Sequence, residues 1–244
     1  MPVTPAENQV VDIDGNIYNT VSIGDQVWMA ENMNYYTPYG SLYYNDDSIS
    51  FSDPYGRLYG FEIAHEVCPP GWHLPSLSEW NEMIDYLGGG SIAGGKLKAA
   101  DTTYWDPPNL GATNETGFSA LPGGYYIFDS FFAEGEEAVF WTSSGIWEMG
   151  RTFNLISDSL SIAEGRLYME EEGASIRCVK DTAQSSIGII GFGDTLVIPD
   201  IHAVNFPLYA TQTIAGCESP PDTVTLQIHP IPGIDLGNDT TITI

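Results

Sequence analysis

Basic residues are the first thing this sequence lacks. Against 33 aspartates and glutamates there are only 7 lysines and arginines, for a formal net charge of −26. Nucleic-acid binding is driven by basic side chains that neutralise phosphates, so this balance argues against it. An anionic membrane surface is disfavoured on the same ground. No apolar run reaches membrane-spanning length, and direct membrane insertion is not expected. Cysteine is scarce too, and three of them do not fix a redox compartment by count alone. Catalytic signatures are missing as well. His65-Glu66 opens a zinc-protease pattern, but Pro69 stands where the second histidine is needed. There is no nucleophile elbow, phosphate loop or dinucleotide fingerprint. The chain reads as a non-enzyme.

What is present is enough for a core, with 43% hydrophobic residues in a chain of 244. The acidity suits a soluble extracellular protein, either as a solubility device or as a means of holding cations. All seven basic residues lie before position 182, while the remainder has six acidic residues and no basic one. This shift marks a domain boundary near Asp181.

Local signals give the first domain its elements. Residues 10–21 read as a hairpin, with Val11, Ile13, Ile17 and Val21 alternating around Asp14-Gly15. A second pair turns at Gly24-Asp25 and continues through Val27-Trp28-Met29. Residues 57–68 read as a helix, because Tyr59, Ile63 and Val67 recur every four positions before Cys68-Pro69-Pro70-Gly71 stops it. A second helix opens with a capping box, Ser76 to Glu79, and carries the stripe Trp80, Met83, Ile84 and Leu87. Gly88-Gly89-Gly90 ends it. Residues 94–100 read as a short helical turn exposing Lys96 and Lys98. Strands are expected at about 138–144, 150–156, 159–170 and 174–180. The implied class is α+β: two helices covering a twisted antiparallel sheet.

The succession DIDGNIYNTVSIGDQVWMAENMNY, GRLYGFEIAHEVCPPGWHLPSLSEWNEMIDYL, GFSALPGGYY, FWTSS and IRCVKD closely resembles the Fibrobacter succinogenes major paralogous domain, over positions 8–181. The resemblance implies the C-type-lectin-like fold shared with formylglycine-generating enzymes. It also implies a disulfide between Cys68 and Cys178, and so a secreted or cell-surface location. Residues 185–231 resemble a partial immunoglobulin-like module of bacterial surface proteins. Residues 233–244 look like the start of a further repeat, or a strand donated to a neighbour for self-assembly. Cys217 is left as a free or intermolecular thiol.

The fold implied by resemblance presents ligands on its long loop region, which directs attention to residues 101–132 and 144–150. Tyr104, Trp105, Tyr125, Tyr126 and Trp147 offer flat rings for sugars or peptide, with Asp106 and Asn109 beside them. Asp101, Asp106, Asn114 and Glu115 supply oxygen ligands, with calcium the candidate ion. The expected function is lectin-like recognition for adhesion, with a glycan or a surface protein as partner. The alternative is a structural subunit of an extracellular filament or sheath.

Overall fold

The computed structural model describes residues 6–181 except 52, 147–148 and 169–171, together with the backbone of short strands beyond 181. The chain divides into two compact units, Met1–Thr182 and Ala183–Ile244, beside the point where basic residues stop.

The first unit opens with β1 (Gln9–Val11), β2 (Ile17–Ile23) and β3 (Gln26–Met29), and Gly24-Asp25 forms the two-residue turn between the last two. The β1–β2 turn is built by Asp12. One of its carboxylate oxygens accepts from the Asp14 and Asn16 amides, and the other from the Asn16 side chain and the Tyr18 hydroxyl. This turn sets a register in which Val10 and Tyr18 are buried, while Ile13 is 85% and Ile17 49% exposed. The inward face expected from Ile13 and Ile17 is therefore the wrong one, since a one-residue shift exchanges the two faces of a strand.

β4 (Ser41–Leu42) and the short helix α1 (Ser48–Phe51) follow. The expected helix over 57–68 is instead β5 (Leu58–Gly60) and a single helical turn, α2 (Phe61–Ala64). A turn that short has no stability of its own, and tertiary contacts decide the matter. Tyr59 pairs with Ser41 on one side and Ala174 on the other. Its ring is fully buried, with the hydroxyl donating to the Tyr35 carbonyl at 2.8 Å.

After β6 (Trp72–His73) comes α3 (Leu77–Tyr86), and here the local signals hold. Ser76 accepts from the Glu79 amide while the Glu79 carboxylate accepts from the Ser76 amide, and Trp80, Met83 and Ile84 are buried. Gly88 and Gly89 close the helix at φ of 100° and 97°. α4 spans Gly90–Leu97, longer than the expected turn. A Cβ on Gly94 would meet the Ser161 carbonyl, so only glycine lets the backbone approach this closely.

The remaining strands are β7 (Gly123–Ile127), β8 (Ser130–Glu134), β9 (Glu137–Ile146), β10 (Met149–Ile156), β11 (Ile162–Tyr168), β12 (Gly173–Ala174) and β13 (Val179–Lys180). One sheet is ordered β1-β2-β3-β13-β6. The other runs β11-β10-β9-β7-β12-β5-β4, with β8 added to β7. Along β9, Ala138 and Phe140 enter a core cluster with Trp28, Trp80 and Phe118, while Val139 and Trp141 enter a second cluster with Met29, Tyr59 and Ile176. A strand buried on both faces in this way reads as one continuous apolar run.

Among the described residues strand outweighs helix. The α+β expectation, and with it the C-type-lectin-like layout of two helices on one sheet, is overturned. The physical reason lies at residues 57–68, where sheet pairing of Tyr59 removes the first of the two helices. The disulfide is present: Cys68 and Cys178 are bonded across 110 residues, with Cα atoms 5.9 Å apart.

Lys98 corrects another expectation. Far from exposed, it is fully buried, and its ammonium donates to the carbonyls of Leu110 (3.1 Å), Ile156 (2.9 Å) and Ser159 (2.8 Å). Burial pulls its pKa down to about 8, and Asp158 opposes this, so the group stays mostly charged at neutral pH. The lysine holds two distant loops against the end of α4.

His73 sits between two carboxylates, with Nε2 2.7 Å from Glu79 and Nδ1 2.6 Å from Asp181. Glu79 is the main cause of a raised imidazole pKa; partial burial opposes it and Asp181 adds to it. Partial burial pushes the Glu79 carboxyl up, but hydrogen bonds from His73 and Ser76 outweigh this and hold it below its ordinary range. The histidine contribution is fully present below its unfolded pKa of about 6.5 and fades as pH rises through the higher folded value. The Glu79 contribution is present above its unfolded pKa and is lost as pH falls through the lower folded value. A His73→Gln variant is therefore expected to melt below the wild type at pH 6, with the gap closing toward pH 9. Thermal melts across that range check it, and a gap independent of pH would show that the imidazole charge plays no part.

In the second unit the backbone strands pair antiparallel. β14 (Thr195–Pro199) pairs with β19 (Asp239–Thr243), β15 (Asn205–Ala210) with β18 (Asp222–Gln227), and β16 (Thr213–Ile214) with β17 (Cys217–Glu218). Of residues 233–244, the described strand Asp239–Thr243 pairs with Thr195–Pro199. The state of the Cys217 thiol lies outside the described residues.

Candidate functional site

The alternation of residues 176–178 creates the site. Ile176 and Cys178 point into one core cluster, which turns the side chain between them the other way. The backbone after β3 runs alongside, with the Met29 amide donating to the Cys178 carbonyl at 3.1 Å and Met33 to Ile176 at 3.0 Å. Arg177 is thereby placed against Asn32. Its Nε donates to Asn32 Oδ1 at 2.6 Å, Nη1 to the carbonyls of Met29 and Phe118, and Nη2 to that of Ser119 at 3.1 Å. The guanidinium also lies 4.6 Å from the Phe118 ring centroid. It is 1% exposed, and burial pulls its pKa down to about 9, with Glu31 opposing, so it remains charged at neutral pH.

Above this arginine lies a groove of about 840 Å³, a size suited to a small polar ligand. One wall comes from the start of β2, with Asn16 and Tyr18, and from the segment after β3, with Glu31, Asn32 and Asn34. The facing wall comes from Asp53, Asp101, Tyr104 and Asn114. Hydrogen bonding fixes these side chains before any ligand arrives. The Tyr18 hydroxyl donates to Asp12 and accepts from the Asn34 amide at 2.9 Å. Burial, reinforced by Asp12, holds its pKa far above the ordinary tyrosine value, so it stays protonated. Glu31 accepts both the backbone and the side-chain amide of Asn19 at 2.7 Å. Asn32 donates to the Tyr55 carbonyl, and Asn114 exchanges bonds with Ser119. The Tyr104 ring stands edge-on to Tyr55 at 5.7 Å.

Three of the residues expected from sequence line this groove: Asp101, Tyr104 and Asn114. Trp105 does not. It is 1% exposed, its indole N–H donates to the Ala120 carbonyl at 2.9 Å, and it belongs to the core. Asn109 is also buried and shapes the loop by donating to the carbonyls of Ala99 and Asp101. Asp106 is exposed, and its backbone amide donates to the Gly135 carbonyl. Tyr125 and Tyr126 lie on the β7–β8 hairpin, against Phe132 and Phe131 respectively. Trp147 falls outside the described residues. Glu115 pairs with Lys96 at 3.0 Å. Among the described residues no three acidic, histidine or cysteine side chains gather as a metal site, so Asp101, Asp106 and Glu115 are not brought together.

Sequence reasoning missed Asn16, Tyr18, Glu31, Asn32, Asn34, Asp53 and Arg177. A signal existed for Arg177. A charged residue between Ile176 and Cys178, within the strand expected over 174–180, points either to solvent or to a polar site inside. The run Glu31-Asn32-Met33-Asn34 alternates polar residues around a buried methionine in the same way.

No curated protein and no solved structure matches the chain. The sequence profile of the Fibrobacter succinogenes major domain matches residues 21–180, more than half of the 244 residues and nearly all of the first unit, and the chain therefore belongs to that family.

Proposed function

We propose that the first unit is a non-catalytic recognition module of a secreted bacterial surface protein, and that its groove takes a hydroxyl-rich ligand, a carbohydrate, in the service of adhesion. The observation that carries this reading is the set of amide and carboxylate side chains held in place around the groove, with the Tyr104 ring on one wall. Sugars are recognised by fixed polar groups together with an aromatic face. The Cys68–Cys178 disulfide supports a secreted location, since such bonds persist in oxidising compartments. The alternative is a structural subunit of an extracellular filament or sheath assembled by strand addition.

A glycan array with the whole chain tests the reading, followed by calorimetry on any hit. Tyr104→Ala is expected to weaken binding about tenfold, the equivalent of roughly 1.4 kcal/mol. An array on which no glycan is retained would remove the carbohydrate reading.

A further inference from the structure

Lys98 forms no ion pair with the described residues, in a chain whose acidic side chains outnumber the basic ones by 33 to 7. Its ammonium is met by backbone oxygens instead. The three bonds to Leu110, Ile156 and Ser159 use all three N–H groups, and the Ser157 carbonyl stands a little farther off at 3.5 Å. The Trp105 ring closes another side, with its centroid 5.3 Å from Nζ. Carbonyl dipoles that converge in this way repel one another unless a cation sits among them. Taking an ammonium out of water is costly, and no carboxylate in contact offsets it, so stability alone is a weak reason for this charge to be buried.

The cluster adjoins the groove. α4 ends at Leu97, and the backbone of Lys98 bridges to Ala120. The residues that follow, Ala99, Ala100 and Asp101, line the groove, as do Tyr104, Asn114 and Ser119 farther along. Both loop groups that meet the ammonium lie in this stretch: Trp105 adjoins Tyr104, and Leu110 lies between Tyr104 and Asn114. The remaining carbonyls come from the end of β10 and its connection to β11. The Leu110 amide donates to the Ser157 carbonyl at 2.7 Å, so Nζ sits where the loop and that connection meet. Lys98 itself is fully buried and is not part of the lining.

We infer that Lys98 is a positioning residue of the groove, its ammonium an internal cation whose carbonyl shell holds residues 99–119 in the shape of the loop wall. This rests on the reading of the groove as the binding site and adds what keeps one of its walls in place.

Hydrogen exchange on the whole chain, without ligand, tests it. Lys98→Met keeps most of the volume and removes the donors. In that variant the amides of Leu110, Thr113 and Ser119, each bonded in the wild type, are expected to exchange about tenfold faster or more. Those of Leu87 on α3 and Trp141 on β9 are expected to stay within about twofold of wild type. Wild-type protection throughout would show that packing suffices and overturn the inference. So would a loss spread evenly to Leu87 and Trp141, or a variant that does not fold, since either makes Lys98 a general strut. Lys98→Ala separates charge from volume. Propylammonium, the fragment removed, is expected to restore loop protection, and 1-propanol is not; equal rescue by both would overturn the internal cation. Any glycan retained on the array is expected to bind Lys98→Met at least about tenfold more weakly, although Lys98 does not touch the groove. Undiminished affinity beside a loosened loop would overturn the positioning role. An empty array would remove the carbohydrate reading, and the exchange result, which needs no ligand, would still decide whether Lys98 holds the wall.

Discussion

Removing the Cys68–Cys178 disulfide is expected to lower the free energy of unfolding by about 4–5 kcal/mol. The bond closes a loop of 110 residues, and the chain-entropy argument assigns the largest stabilisation to loops of that length. Its placement adds to the effect. Cys68 follows the single turn of α2, which has little stability of its own, and Cys178 lies in the segment that positions Arg177 and leads into β13. Without the bond, the segment around α2 keeps side-chain packing, the pairing of β5 and a few hydrogen bonds, among them the one between His65 Nε2 and the Ser143 carbonyl at 3.3 Å. A domain stability of about 5–15 kcal/mol would lose roughly a quarter or more of its total. Urea unfolding of a Cys68→Ala/Cys178→Ala variant measures this, with the slope of the transition reporting whether the unfolded chain has expanded. A loss under about 1 kcal/mol would mean that β13 pairing and the His73–Asp181 contact hold the last strand without help.

How much of this architecture was legible depended on how local its causes are. α3 could be read outright, because its capping box and its stripe of Trp80, Met83 and Ile84 lie within a dozen residues of one another. The Gly24-Asp25 turn was legible for the same reason. The first helix was not. The spacing of Tyr59, Ile63 and Val67 is a true helical period, but Tyr59 answers to Ser41 and Ala174, and no local window contains them. Lys98 was misread in the same way, since the carbonyls around it come from residues 110, 156 and 159. The β1–β2 face was reversed by one aspartate, whose carboxylate builds a turn that the Asp14-Gly15 signal does not describe. In the groove, Asp101, Tyr104 and Asn114 stood out as polar and aromatic loop residues. The opposite wall is made by strand-flanking asparagines, whose role appears only when the chain after β3 is laid beside residues 176–178. The smaller part of the site was therefore a matter of composition, and the larger part a matter of pairing.

Arg177→Met is expected to cost about 3–5 kcal/mol, as several buried acceptors lose their donor and only part of that loss is recovered from water. The methionine fills much of the same volume, so the loss does not come from a cavity. It comes from four acceptors left behind: the Asn32 amide oxygen and the carbonyls of Met29, Phe118 and Ser119. Each orphaned acceptor costs roughly 1–3 kcal/mol if it stays dry, although those beside the groove recover part of this from water. The contacts of the guanidinium with Phe118 and Phe140 go as well. Lysine at this position would keep the charge but not the planar fork that serves four acceptors at once, so Arg177→Lys is expected to fall between methionine and wild type. Because Arg177 adjoins Cys178, its loss and that of the disulfide are not expected to add; a double-mutant cycle in urea measures the coupling. The size of the methionine effect also separates two reasons for the residue to be there. A loss of 3 kcal/mol or more makes the arginine a structural strut beneath the groove. A loss under about 1 kcal/mol would mean that desolvating the guanidinium cancels nearly all its bonds, and its place at the groove floor would then rest on ligand binding, which the same variant should abolish.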